Sequence, residues 1–214
     1  MAASPQTLGL VMLEADPHAR RLDRASQFAA VSDALADGAA TAKAWRERFP
    51  ELAPQAIARE IRLPIEAIDD DPMIGSLWRF AEYQQRPARI LLYSRGLAPL
   101  DCVVKGALAL RLLGQATTQQ VFIAHELYHH AETIRCDMPI ARRYQPKLFG
   151  IGGWHWRTGL AALAEIAAGA FARSLLDLPH HPKLLDLVAL DAIGANTAVS
   201  RIAARIAEIG GLEP

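Results

Sequence analysis

Over residues 117–134 the chain reads TTQQVFIAHELYHHAETI, with apolar side chains at Val121, Phe122, Ile123, Ala124, Leu127, Tyr128 and Ala131 and no glycine or proline. Wound at 3.6 residues per turn, these positions go nearly all the way round, which predicts a buried central helix. Its start is marked by Thr117 and Gln120, whose side chains can each satisfy the other's unpaired backbone N–H, with Ala116 and Val121 in the apolar positions flanking that box. Toward the N-terminus, Leu22, Phe28, Val31 and Leu35 give a partial helical stripe over residues 20–37. Gly38 is expected to stop it, and a second helix follows over residues 41–49.

Residues 54–61 predict a short helix with proline in its first turn, residues 63–68 (LPIEAI) alternate like a strand, and RILLYS at 89–94 is the best strand in the chain. The intervening SLWRFAEY suits either state. Residues 100–113 predict another helix, closed by Gly114. Residues 138–156 hold Pro139, Pro146, Gly150, Gly152 and Gly153 and predict a long irregular connection, a usual place for a substrate-binding edge. RTGLAALAEIAAGAFARSLL predicts a helix around Glu165, and two amphipathic helices, KLLDLVALDAIG and TAVSRIAARIAEIGG, follow from Lys183 onward.

Composition agrees with a predominantly helical α+β class. Hydrophobic residues make up 51% and aromatics only 7%, the excess being alanine and leucine, which favours helix over a sandwich or barrel. The expected organisation is an N-terminal helical extension over 1–50, a core with a small sheet packed on the motif helix over 51–180, and a C-terminal helical hairpin over 181–214. Formal net charge is +0, from 23 basic and 23 acidic residues, so no nucleic-acid or membrane partner is expected. A helix-turn-helix can be drawn around Gly38, but no cluster of basic residues supports it. The opening MAASPQTLGLVMLEAD lacks a positive leader, and Lys105, Arg111 and Glu165 interrupt the apolar runs. Cys102 and Cys136 form no C-x-x-C pair, and free thiols in a cytoplasmic protein are the expectation.

The chemistry lies in HELYH, residues 125–129. On one helix His125 and His129 stack on the same face, while Glu126 lies about 100° round the axis. This H-E-x-x-H spacing offers two nitrogen ligands to Zn2+ and a carboxylate that can act as base on water. A third ligand must come from elsewhere, and Arg135 stands where one zincin class has its third histidine. Glu165 is the better candidate, since Thr158, Ala161, Ala162, Ala168, Gly169 and Ala172 form a small-residue stripe around it that would bury its carboxylate unless a cation held it. His155 is the alternative. His155, Tyr128 and Tyr144 are candidates to donate to a developing oxyanion, His130 to tune Glu126, and Glu132 to support a ligating imidazole. His180 and His181 read as a loop.

These motifs resemble the ImmA/IrrE-like zinc metallopeptidases, which carry H-E-x-x-H on one helix and E-x-x-A-N-x-F-A-x-x-L-L on the next. Glu165, Ala168, Phe171, Ala172, Leu175, Leu176 and the following Pro179 stand at corresponding positions, and AIAREIRLPI followed by ARILLYS is similar to that family's entry. The resemblance spans residues 54–179. It implies a zincin-like fold, zinc on His125, His129 and Glu165, Glu126 as general base, and a polypeptide or protein substrate, in some cases a regulatory protein. Tyr128 replaces a glycine and Gly169 an asparagine of the family pattern. A zinc-binding regulatory or scaffold protein that keeps the fold without cutting is therefore the alternative.

Overall fold

In the computed structural model, which describes residues 3–74, 77–151 and 154–211, helix α1 (Pro5–Glu14) starts where the Ser4 hydroxyl accepts from the Thr7 N–H. Asp23 caps α2 (Arg24–Arg48) in the same manner, and α3 (Pro54–Glu60) begins on its proline. There follow β1 (Ile65–Ile68), the short pair β2 (Met73–Ile74) and β3 (Leu77–Trp78), β4 (Ala81–Gln85), β5 (Ala88–Tyr93), α4 (Ser94–Val103) and α5 (Gly106–Leu113). Next come α6 (Thr118–Ile134), α7 (Ile140–Arg143), β6 (Lys147–Ile151), β7 (Trp154–Arg157), α8 (Ala161–Leu176), α9 (Lys183–Ala192) and α10 (Asn196–Gly210). The class is α+β and mostly helical, as composition suggests.

The main sheet has the order β1-β5-β4, with β1 parallel and β4 antiparallel to the central strand. Ile90, Leu91, Leu92 and Tyr93 of β5 are all buried, so the strand is apolar on both faces, while β4 is left at an edge against α6. Within SLWRFAEY, residues 77–78 and 81–83 are thus strand, supplying β3 and most of β4. The Thr117 and Gln120 box is present and starts α6 as expected.

Three expectations are corrected. Gly38 does not stop a helix: α2 runs through it to Arg48, so residues 41–49 are no separate helix and no helix-turn-helix exists there. The glycine serves packing, since a Cβ at that position would lie 2.1 Å from the Ala167 carbonyl oxygen and 2.9 Å from the Ala170 Cβ of α8. Residues 100–113 are split at Val104 and Lys105, where extended backbone and Gly106 at φ +55° separate α4 from α5. Residues 138–156 are not irregular, because α7 and the β6–β7 hairpin order most of them.

One apolar core joins the three expected segments: Leu10 and Leu13 of α1, Ala30, Val31 and Trp45 of α2, Ile123, Leu127 and Tyr128 of α6, Ile166 and Phe171 of α8, and Ile209 of α10. Phe171 is its pivot, with the Trp45 ring edge-on at 5.6 Å and Tyr128 at 5.9 Å. The stretch 1–50 is therefore a wall of the core that backs both motif helices. Among the described residues no helix is long and apolar enough to cross a membrane.

Candidate metal centre

Helical spacing puts the His125 and His129 rings one above the other on α6, their Nε2 atoms 3.3 Å apart. Glu165, one turn into α8, reaches both: Oε2 lies 3.1 Å from His125 Nε2 and Oε1 lies 3.5 Å from His129 Nε2. Two facing imidazole nitrogens share at most one proton between them, so this triangle is poorly satisfied by hydrogen bonds alone. It does match the face of a tetrahedron: with bonds of about 2.0–2.1 Å to one ion, ligand atoms stand about 3.3 Å apart. The donors, two imidazoles and a carboxylate, suit a borderline divalent cation, and the residues present fit one.

The charges tell the same story in protonic form. Burial pulls the His125 pKa down, but the Glu165 carboxylate more than offsets this and raises it overall. His129 falls to about 4, through burial and then the nearby His125 charge. Glu165 is held at about 2 by its bond to His125 and by both imidazoles, against the partial desolvation of its oxygens, which acts to raise it. Without an ion the site thus keeps one proton on His125, facing a carboxylate and a neutral ring. The Glu165 side chain is 53% exposed, so the buried setting expected from its stripe is corrected: α8 presents it at an open side of the site, its oxygens turned to the rings.

Glu126 is the buried carboxylate instead, 7% exposed. Burial pushes it up to about 7, the His125 charge opposing and Glu165 reinforcing the shift. Its Oε2 accepts from the Tyr83 backbone N–H of β4 at 2.8 Å. That N–H is free because, in the β4–β5 register, Tyr83 pairs with Ile90, whose own N–H turns the other way to the Pro64 carbonyl. The unpaired edge of β4 therefore faces the base. Tyr83 meets α6 a second time, its hydroxyl 3.1 Å from His130 Nδ1, so His130 is engaged with the strand one turn beyond Glu126.

Other candidates are placed elsewhere. The Tyr128 hydroxyl donates to Asp37 Oδ2 on α2 at 2.7 Å, and the Tyr144 hydroxyl to Asp33 at 2.7 Å, so neither serves an oxyanion. Glu132 accepts from the Ile140 N–H at 3.0 Å and starts α7 rather than supporting an imidazole. His155 lies on β7 opposite Gly150, and its side chain is outside the described residues.

A feature missed in the sequence sits one turn past Glu165. The His181 ring, 3% exposed, packs on Gly169, where a Cβ would come within 2.4 Å of its Cε1 atom. Its Nδ1 accepts from the Lys183 N–H at 3.2 Å, and burial with the His125 charge brings it down to about 4. The signal available was Gly169 itself, standing where the resembled pattern has asparagine. Comparison with family models, curated proteins and solved structures finds no match to this chain, so the triad and the buried carboxylate beside it are what speak for its chemistry.

Proposed function

We propose that this protein is a zinc-dependent metallopeptidase of the ImmA/IrrE-like kind, with His125, His129 and Glu165 as ligands. The observation that carries this reading is the convergence of three ligand atoms from two helices beside a buried carboxylate that is not one of them. Held there, the ion would supply Lewis acidity to a water molecule and to the scissile carbonyl. Glu126 takes the proton of the attacking water and delivers it to the leaving amine. In the metal-free site burial raises this carboxyl, and a cation held by the triad would act the other way, toward the ionised form that accepts a proton. The Tyr83 N–H fixes the orientation of the Glu126 carboxylate. The edge of β4 supports a polypeptide substrate, since an extended chain could add to it as a further strand and lie across the base.

Two measurements test the reading. Purified protein should carry about one equivalent of zinc, lost in a His125→Ala, His129→Ala variant. Glu126→Gln should retain the metal and lose peptide hydrolysis by about a hundredfold or more. Hydrolysis that persists in Glu126→Gln defeats the assignment of the base, and metal retention without hydrolysis in the natural sequence leaves a binding protein.

A further inference from the structure

Where α3 gives way to β1 the chain closes the helix with two reversed bonds. The Leu63 N–H donates to the Ala58 carbonyl at 2.8 Å, and the Arg62 N–H donates to the Arg59 carbonyl at 3.0 Å. This form of helix stop needs left-handed backbone at its next-to-last residue, where glycine is the usual occupant. Here the residue is Arg62, at φ +58°. The turn carries Leu63 inward, to 4% exposure, and leaves Arg59 and Arg62 on the surface.

These three residues line one cavity of about 490 Å³, whose other walls include Gln119 and Ile123 of α6 and Ile65 at the start of β1. The volume is that of a small-molecule site. Its floor is apolar, since Leu63 and Ile123 are both buried. No aspartate or glutamate lines it, and Glu66, the next acid along β1, is taken by Arg89 at 2.9 Å. Among the described residues neither Arg59 nor Arg62 has a carboxylate partner. A guanidinium group presents a planar fork of donors that matches the oxygens of a carboxylate or a phosphate. A neutral apolar ligand would leave that pair of forks unmatched, and a bare inorganic anion would leave the apolar floor uncovered.

We infer that this cavity binds a small amphiphilic oxyanion, a carboxylate or phosphate carried on an apolar chain. Arg59 and Arg62 hold the head group, and the chain lies on Leu63, Ile65 and Ile123. The ligand rests on α6 two residues before His125, yet its binding depends neither on a metal nor on the metallopeptidase reading. The test titrates the full chain, labelled with nitrogen-15 and kept in chelator, with octanoate, octyl phosphate and octanol, following the backbone amide resonances. Octanoate or octyl phosphate should give saturable shifts centred on Leu63, Ile65, Gln119 and Ile123, and the tighter of the two names the head group. Octanol, acetate and inorganic phosphate should each bind about tenfold more weakly or worse. The double variant Arg59→Gln, Arg62→Gly should weaken the anion by about tenfold, and because glycine suits φ +58° it should melt close to the parent. Octanol that binds as tightly as octanoate, shifts that gather elsewhere, or an affinity unchanged in the double variant overturns the proposal. So does inorganic phosphate that matches octyl phosphate, since the floor then contributes nothing.

Discussion

Burial drives Glu126 and His129 toward their neutral forms, and the consequence for stability differs in sign from the usual carboxylate. Glu126 titrates near 4.5 in an unfolded chain and at about 7 in the folded one, so between those values the folded state holds the extra proton. Its ionisation therefore costs stability progressively as pH rises from 4.5 to 7, reaching about 3 kcal/mol above that window. In chelator, Glu126→Gln should melt close to the parent at pH 4.5 and be more stable by about 2 kcal/mol at pH 8. A constant difference at both pH values would remove the buried-carboxylate account. Gly169 offers a second test at the same scale, because an added methyl group meets the buried His181 ring and not a flexible chain end. Gly169→Ala should cost about 1–3 kcal/mol in the parent and clearly less in a His181→Ala background, where the ring is gone. Additive losses in urea denaturation would show that the two residues do not meet. The departure from asparagine thus has a physical partner, a loop histidine that no spacing rule could place.

Helices and strands were legible where local chemistry decides them. The Thr117 cap, the unbroken apolar run of α6, the proline opening α3 and the short apolar run of β5 all need only their own neighbours, and each forms where expected. Gly38 misleads because its local meaning, a helix stop, is overridden by α8 lying so close that any side chain would strike the Ala167 carbonyl. The β6–β7 hairpin was hidden for a related reason: glycines and prolines read as an irregular connection unless the cross-strand partner is known. Between Val104 and Lys105 no breaker precedes the kink, and apolar continuity alone implied one helix. The convergence of His125 and His129 was readable from spacing and the approach of Glu165 from its small-residue helix, but the exposure of Glu165 and the engagement of Tyr128 and Tyr144 by α2 depend on tertiary placement. The α2–α8 contact makes its own prediction. Gly38→Ala would gain about 1 kcal/mol of helix propensity if α2 were isolated. In the protein it should lose about 3 kcal/mol, since backbone, not a side-chain tip, must yield. A rise in melting temperature would mean the helices do not approach as described.

At the scale of the whole molecule, α2 ties together the parts that hold the site without touching the site itself. Asp37, 7% exposed, accepts from Tyr128 next to His129, from Arg135 at the end of α6 and from Arg143 at the end of α7. Burial raises its carboxyl, but Tyr128 and the two guanidinium groups more than offset that and leave it below the usual range, ionised across the neutral pH range. Asp37→Asn leaves Arg135 and Arg143 with the exposed Asp137 as their remaining carboxylate, and because they are 23% and 34% exposed, water recovers a further part of the loss. The expected cost is about 2 kcal/mol, below that of a fully buried pair. The triad lies outside this hub, so the ligand geometry should survive. With the triad holding zinc as proposed, the ion at about a thousand times its dissociation constant should raise the stability of parent and Asp37→Asn alike, by about 4 kcal/mol. Equal metal increments on unequal baselines, measured by thermal melting with and without chelator, would separate the scaffold from the centre it supports. A smaller increment in Asp37→Asn would show instead that the hub sets the spacing of the imidazoles, and that residues 1–50 act on the metal as well as on the fold.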